Sequence, residues 1–238
     1  MNYIRKKFKK EKTKKKHLLY LSMTTRPERI QSSHFLDVYN SLKNQTISFD
    51  KLIINLCVDE FVFDIPQKVK ELPNVILNET KYIGPCSKLL GGLEQIPMNA
   101  LVIILDDDMI MSEYFIEKLY QSFLKHPNSV SSHFVIQRPF FKEVIGSGGY
   151  IVKRSRLDIF KELYKTMPSV CRKIDDTWIS WCFNEMKIPV QKVCFSMSTY
   201  KSLKSLKFDW YQLHKDTNRN KLIKEAHSIW YPHHKLHL

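Results

Sequence analysis

The chain has 238 residues, 43% hydrophobic and 12% aromatic, so it can bury one sizeable core and is neither fibrous nor wholly disordered. Its formal charge of +14 is uneven, because residues 1–16 hold nine Lys or Arg against one Glu. No apolar run reaches the ~18–20 residues of a membrane-spanning helix, and five cysteines without a CxxC pair argue against a zinc ribbon or disulfide framework and for a reducing, cytoplasmic compartment.

Residues 1–16 read as a solvated basic arm, and residues 5–16 are able to touch an anionic lipid surface or nucleic acid. Leu18–Met23 is too short for the apolar region of a signal peptide, so no leader is expected. Residues 17–238 are expected to form one domain. Leu18–Ser22 fits a buried parallel strand. Thr24 or Thr25 can cap a helix over Arg26–Leu42, with Pro27 in its first turn. Lys51–Val58 is a second strand that ends in Asp59, and Asn74–Leu77 is a third. Ser87–Gln95 reads as a helix. Leu101–Leu105 is a fourth strand, and Ser112–Lys125 an amphipathic helix. Val130–Ile136 and Gly149–Val152 are strands, Arg156–Lys165 and Asp176–Met186 helices, and Val190–Cys194 a last strand. This alternation predicts an α/β fold with a mostly parallel central sheet flanked by helices.

Four motifs carry chemistry. Val102–Leu105 is an apolar strand that runs into Asp106, Asp107 and Asp108. Ligands of open α/β sheets bind at the carboxyl ends of strands, and three adjacent carboxylates repel unless a cation neutralises them. Oxygen-only ligands favour Mg²⁺ or Mn²⁺ over zinc. On an extended strand Asp106 and Asp108 point one way and Asp107 the other, which makes Asp106 and Asp108 the metal pair; the competing reading is a solvated acidic turn. Asp175 and Asp176 open a helix, where one can cap and the other can act as a general base. In Lys81-Tyr82-Ile83-Gly84-Pro85-Cys86-Ser87-Lys88 a Gly-Pro turn meets a helix start, and its free N–H groups and Lys88 can meet an anion; an ordinary loop with a surface lysine is the alternative. Three of six glycines fall in Gly146-Ser147-Gly148-Gly149, a sign either of close backbone approach to a ligand or of a hairpin turn.

In this order the motifs resemble the GT-A glycosyltransferases that use nucleotide-sugar donors, near the family 2 type. The matching pieces are Thr24-Thr25-Arg26-Pro27, Asp59, Gly84–Lys88, Asp106–Asp108, Gly148-Gly149 and Asp175-Asp176, spread over residues 18–182. The resemblance implies a GT-A, Rossmann-like fold and transfer of a sugar from a UDP-sugar to an acceptor hydroxyl, with inversion. It implies nucleoside contacts from Thr25, Arg26, Asp59 and Lys88, and Asp107 near the ribose. Asp106 and Asp108 would hold Mn²⁺ or Mg²⁺ on the donor diphosphate. Asp176 would be the base, with Asp175 beside it, and His214 or His227 a further metal ligand. The acceptor would be a glycan, a protein or a lipid-linked molecule. Trp178, Trp181 and Tyr150 either wall a sugar ring or pack an aromatic stripe into the core.

Three rival readings compete. A haloacid-dehalogenase-like phosphatase also carries two Asp two apart after an apolar strand, but near its start and with Thr or Val where Ile110 stands. A nucleotide-sugar pyrophosphorylase needs a glycine-rich loop after the first strand, and Thr24–Arg29 contains none. A nucleic-acid-binding protein would act through residues 5–16, with steep salt dependence.

Overall fold

A computed structural model describes residues 15–193, 200–202 and 219–234. Seven strands form one sheet. At its centre β1 (Leu19–Thr25) lies parallel to β2 (Lys51–Cys57) and to β4 (Leu101–Ile104). Beyond β2 comes β3 (Val75–Thr80), also parallel. On the other side β9 (Tyr150–Lys153) runs antiparallel to β4 and to β6 (Val130–Ser132), and β10 (Val190–Lys192) closes that edge parallel to β6. The expected mostly parallel sheet is therefore present, with β9 reversed. Two small pairs stand apart: β5 (Met109–Met111) with β11 (Tyr200–Ser202), and β7 (Val135–Gln137) with β8 (Lys142–Val144). The single strand expected over Val130–Ile136 thus divides into β6 and β7, and Cys194, the expected end of β10, lies outside the described residues.

Alternate residues of the buried strands build two cores, as the period of two dictates. Leu19, Leu21 and Met23 of β1 meet α2 (Ser33–Lys43) and α5 (Phe115–Lys125) on one face. Val102 and Ile104 of β4 meet Tyr150 and Val152 of β9 on the other, under α6 (Ile159–Lys165) and α7 (Asp175–Glu185). There Trp178 packs edge-on to Phe160 at 5.8 Å, and Tyr150 to Phe183 at 6.1 Å. Trp178 and Tyr150 are fully buried and Trp181 nearly so, so all three belong to the core and none walls an open sugar site.

The expected helix over Arg26–Leu42 is broken. A single turn, α1 (Pro27–Ile30), precedes α2, because the Ser32 hydroxyl accepts from Phe35 N and starts a new helix. Ser87–Gln95 is likewise split into α4 (Ser87–Leu90) and a 3₁₀ turn, Leu93–Gln95. Two helices had no sequence expectation: α3 (Gln67–Lys70) and α8 (Arg219–His234). Lys15 and Lys16, placed by composition in the arm, contact the domain: Lys15 pairs with Asp50, and Lys16 N donates to Tyr120 Oη at 2.9 Å. Cys57, Cys86, Cys171 and Cys182 are buried free thiols. Among the described residues no helix is long and apolar enough to cross a membrane.

Candidate active site

The carboxyl ends of β1, β2 and β4 and the start of the reversed strand β9 meet at one edge of the sheet. The acidic run leaves β4 there. Asp106 accepts from Lys88 Nζ at 2.8 Å. Asp107 accepts from Thr25 Oγ1 at 2.6 Å and pairs with Arg29. Asp108 lies 3.5 Å from the same guanidinium. The strand ends at Ile104, so the extended-chain alternation expected of the three Asp is lost: Asp106 faces Lys88, while Asp107 and Asp108 share Arg29. Arg29 was not anticipated. It reaches the acids because α1 is a single turn, and its only sequence signal is its place one turn after Arg26.

The second acidic pair closes on the first. Asp175 and Asp176 form the start of α7, and both are buried. Asp176 Oδ2 accepts from Gly146 N at 3.1 Å, and its Oδ1 lies 3.3 Å from Lys88 Nζ. Asp175 Oδ2 is 3.0 Å from the same ammonium. Lys88, 3% exposed, thus stands between Asp106 and the α7 pair. Its backbone oxygen is fixed by Ser22 Oγ at 2.6 Å. The resemblance placed Lys88 against the nucleoside. The structure turns it inward instead, because a buried ammonium needs anionic partners and three are here.

Five carboxylates (Asp106, Asp107, Asp108, Asp175, Asp176) share the paired cations Lys88 and Arg29. The surplus of negative charge shows in the titration of the acids. Burial, then the charges of Asp106 and Asp107, push Asp108 up to about 7. Burial pushes Asp176 up to about 7 as well, against the pull of Lys88 and with Asp175 and Asp106 adding repulsion. Burial raises Asp107 too, opposed by Arg29 and Thr25. For Lys88 burial acts against the charge, but the three carboxylates outweigh it and hold the pKa well above the usual lysine value.

Among the described residues no group of three or more His, Cys, Asp or Glu forms a protein cage for a metal. Mg²⁺ does not require one, since it commonly takes one or two carboxylates and completes its shell with substrate phosphates and water. Asp106 and Asp108 offer hard oxygen donors beside Lys88 and Arg29, and the surplus of five carboxylates over these two cations fits such an ion. His214 lies outside the described residues, and of His227 only the helical backbone is described.

Thr25, 3% exposed, gives its hydroxyl to Asp107 and so orders the acidic loop. Arg26 lies over the Phe61 ring at 5.3 Å, and Phe61 meets Tyr82 edge-on at 5.7 Å. Asp59 accepts from Tyr82 N at 2.7 Å. Arg26, Asp59, Phe61 and Tyr82 therefore form one cluster beyond β1 and β2, in which sequence reasoning assigns no part to Phe61. The glycine run needs correction. A Cβ on Gly148 would meet Phe134 at 2.6 Å, and one on Gly149, whose φ is +58°, would meet Phe115 at 2.6 Å. Packing explains Gly148, and packing together with the positive φ explains Gly149. Gly146 is the glycine at the site: a Cβ there would fall 2.7 Å from Asp106 Oδ1.

No known protein family and no curated protein matches the sequence. Solved structures do match in shape. One is 4-diphosphocytidyl-2C-methyl-D-erythritol synthase from Anaerococcus prevotii, at a TM-score of 0.55 and 12% identity over 90% of this chain and 98% of that one. Another is S. aureus TarS 1-349 in complex with UDP, at 0.52 and 14% over 77% of this chain, which spans 59% of that protein. A third is the homolog of Mycobacterium tuberculosis rv0371c from Mycobacterium sp. strain JC1, at 0.51 and 12% over 89% and 98%. Identities this low speak to architecture, and with the sheet order above they show that the chain has a GT-A-like α/β fold.

Proposed function

We propose that the protein is a divalent-metal-dependent glycosyltransferase that moves a sugar from a UDP-sugar to an acceptor hydroxyl with inversion. The observation that carries this reading is the meeting of the β4 acids with Asp175 and Asp176 around Lys88, at 2.8, 3.0 and 3.3 Å. Asp106 and Asp108 would hold Mn²⁺ or Mg²⁺, which when bound stabilises the charge of a departing nucleoside diphosphate. Arg29 and Thr25 hold Asp107 in place and so shape the loop that carries both ligands. Arg26 and Asp59, with Phe61 and Tyr82, offer a guanidinium, a carboxylate and π faces to a nucleoside. The likeness in fold to TarS in complex with UDP supports that choice of donor.

Asp176 is the base. It is 6% exposed, its carboxylate is oriented by Gly146 N, and burial brings its pKa close to neutrality. A base poised there takes the proton of an attacking hydroxyl most effectively. Asp175 stays against Lys88 and balances its charge.

The test is a screen of UDP-glucose, UDP-galactose and UDP-N-acetylglucosamine for UDP release with Mn²⁺ or Mg²⁺ and with EDTA. Metal-dependent release from at least one sugar is expected. Hydrolysis of p-nitrophenyl phosphate by a protein with no affinity for UDP would instead establish the phosphatase reading.

A further inference from the structure

Helix α7 starts without a side-chain cap. Ile174 precedes it, and the carboxylates of Asp175 and Asp176 turn toward Lys88. The orientation of its first turn, which aims Asp176, must therefore be fixed from outside the helix. Strand β8 and the residues after it run alongside and bond α7 at three places. Thr177 Oγ1 donates to Glu143 Oε1 at 2.5 Å, Val144 N donates to Ser180 Oγ at 2.9 Å, and Gly146 N donates to Asp176 Oδ2 at 3.1 Å. Ser180 Oγ in turn donates to Asp176 O at 2.6 Å.

Glu143 is the unusual member of this set. It is 0% exposed, and its second carboxylate oxygen is held by Arg138, with Nε at 2.5 Å. Burying a carboxylate is expensive even when paired, and an apolar residue of similar size would pack at lower cost. The hairpin could be stabilised without it. What an apolar residue could not do is accept from the Thr177 hydroxyl, one residue after Asp176. A carboxylate beside a helix N-terminus also meets the positive end of the helix dipole.

We propose that Glu143 and Thr177 are positioning residues: the Arg138–Glu143–Thr177 chain sets the first turn of α7 and thereby holds Asp176 against Gly146 and the acids that leave β4. This rests on the reading of Asp176 as the base. A misplacement of ~1 Å costs a reacting group up to about 10²-fold in rate, so a partly loosened turn should lose about 10-fold.

The experiment uses the full chain and the UDP-sugar with the fastest release. Thr177→Val, close in shape, should lower kcat about 10-fold and leave the donor KM and UDP affinity within about twofold. Thr177→Ser, which keeps the hydroxyl, should restore kcat. Glu143→Gln keeps an acceptor but loses the charge facing Arg138, and should lose about threefold. In an Asp176→Asn background Thr177→Val should cause no further loss. Amide hydrogen exchange at Gly146 should rise at least about 10-fold in Thr177→Val and return to normal in Thr177→Ser. Unchanged kcat in both Thr177→Val and Glu143→Gln, or a loss that multiplies with that of Asp176→Asn, overturns the proposal. Full turnover in Asp176→Asn sinks the base reading instead; exchange at Gly146 then decides by itself whether Thr177 and Glu143 hold the turn, and unchanged exchange refutes it.

Discussion

Replacing Lys88 by Met keeps the length of the side chain and removes its charge. Asp106, Asp175 and Asp176, at 2.8, 3.0 and 3.3 Å, then lose a shared cation in a place with little access to water. Removing one partner of a buried ion pair costs ~3–5 kcal/mol. Asp176 already titrates at about 7 and can take up a proton in the variant, so the loss should fall at the lower end, ~3 kcal/mol. In a chain of this size 1 kcal/mol moves Tm by ~2–4 °C, which predicts a drop of ~6–12 °C at pH 8. The deficit must also depend on pH in one direction. A carboxylate whose folded pKa lies above its unfolded value binds its proton more tightly when folded, so stability rises as pH falls through the folded pKa toward the ordinary carboxylate range. Without the pull of Lys88, Asp176 is raised further, so the variant should recover as pH falls from 8 to 5. Thermal unfolding by circular dichroism at pH 8, 6.5 and 5, without divalent ions, measures both. An unchanged Tm at pH 8, or a deficit that grows on acidification, would refute the role of Lys88 as the shared counter-cation.

Other perturbations separate the parts of the site. Asp106→Ala and Asp108→Ala should each abolish UDP release yet remain folded, and Asp108→Ala should raise the metal-free Tm at pH 8 by removing a repelled charge; activity of either variant in EDTA would disprove the metal assignment. Asp176→Asn should lower kcat at least ~10²-fold with UDP affinity kept, and Asp175→Asn should lower it less; the reverse order, read from turnover and calorimetry, would move the base to Asp175. His133, buried and held by burial at about 4, is neutral in the folded protein where an unfolded histidine is charged. It should therefore cost up to ~3 kcal/mol as pH falls from 6.5 to 4, and His133→Gln should flatten that limb of the stability profile relative to wild type. A chain beginning at Lys15 should keep full turnover and Tm, whereas one beginning at Leu18 should melt lower, because His17 packs edge-on to Phe123 at 5.6 Å and bonds Tyr120.

Local chemistry was enough to place the β4 acids and the Asp175-Asp176 pair at polar ends of buried elements. Val102–Leu105 has no polar side chain to leave in water, so the buried strand gives way where three carboxylates begin, and its unbroken apolar run says it is covered on both faces. Two things in the sequence pointed the wrong way. The glycine run drew attention to Gly148 and Gly149, which make room for Phe134 and Phe115, while Gly146 is the one beside Asp106. The Gly84-Pro85 turn and the helix start at Ser87 pointed Lys88 at an anionic ligand. What it faces depends on Asp175, 87 residues later, arriving on the same side of the sheet. The same holds for Arg29 with Asp107, for Glu143 with Thr177, and for Phe61 with Tyr82. Each is a pairing of residues that say little alone. Periodicity is a property of neighbours along the chain and fixes element type and the buried face. The charge state and aim of a buried side chain are set by groups the fold carries to within about 3 Å of it, and no local pattern holds that distance.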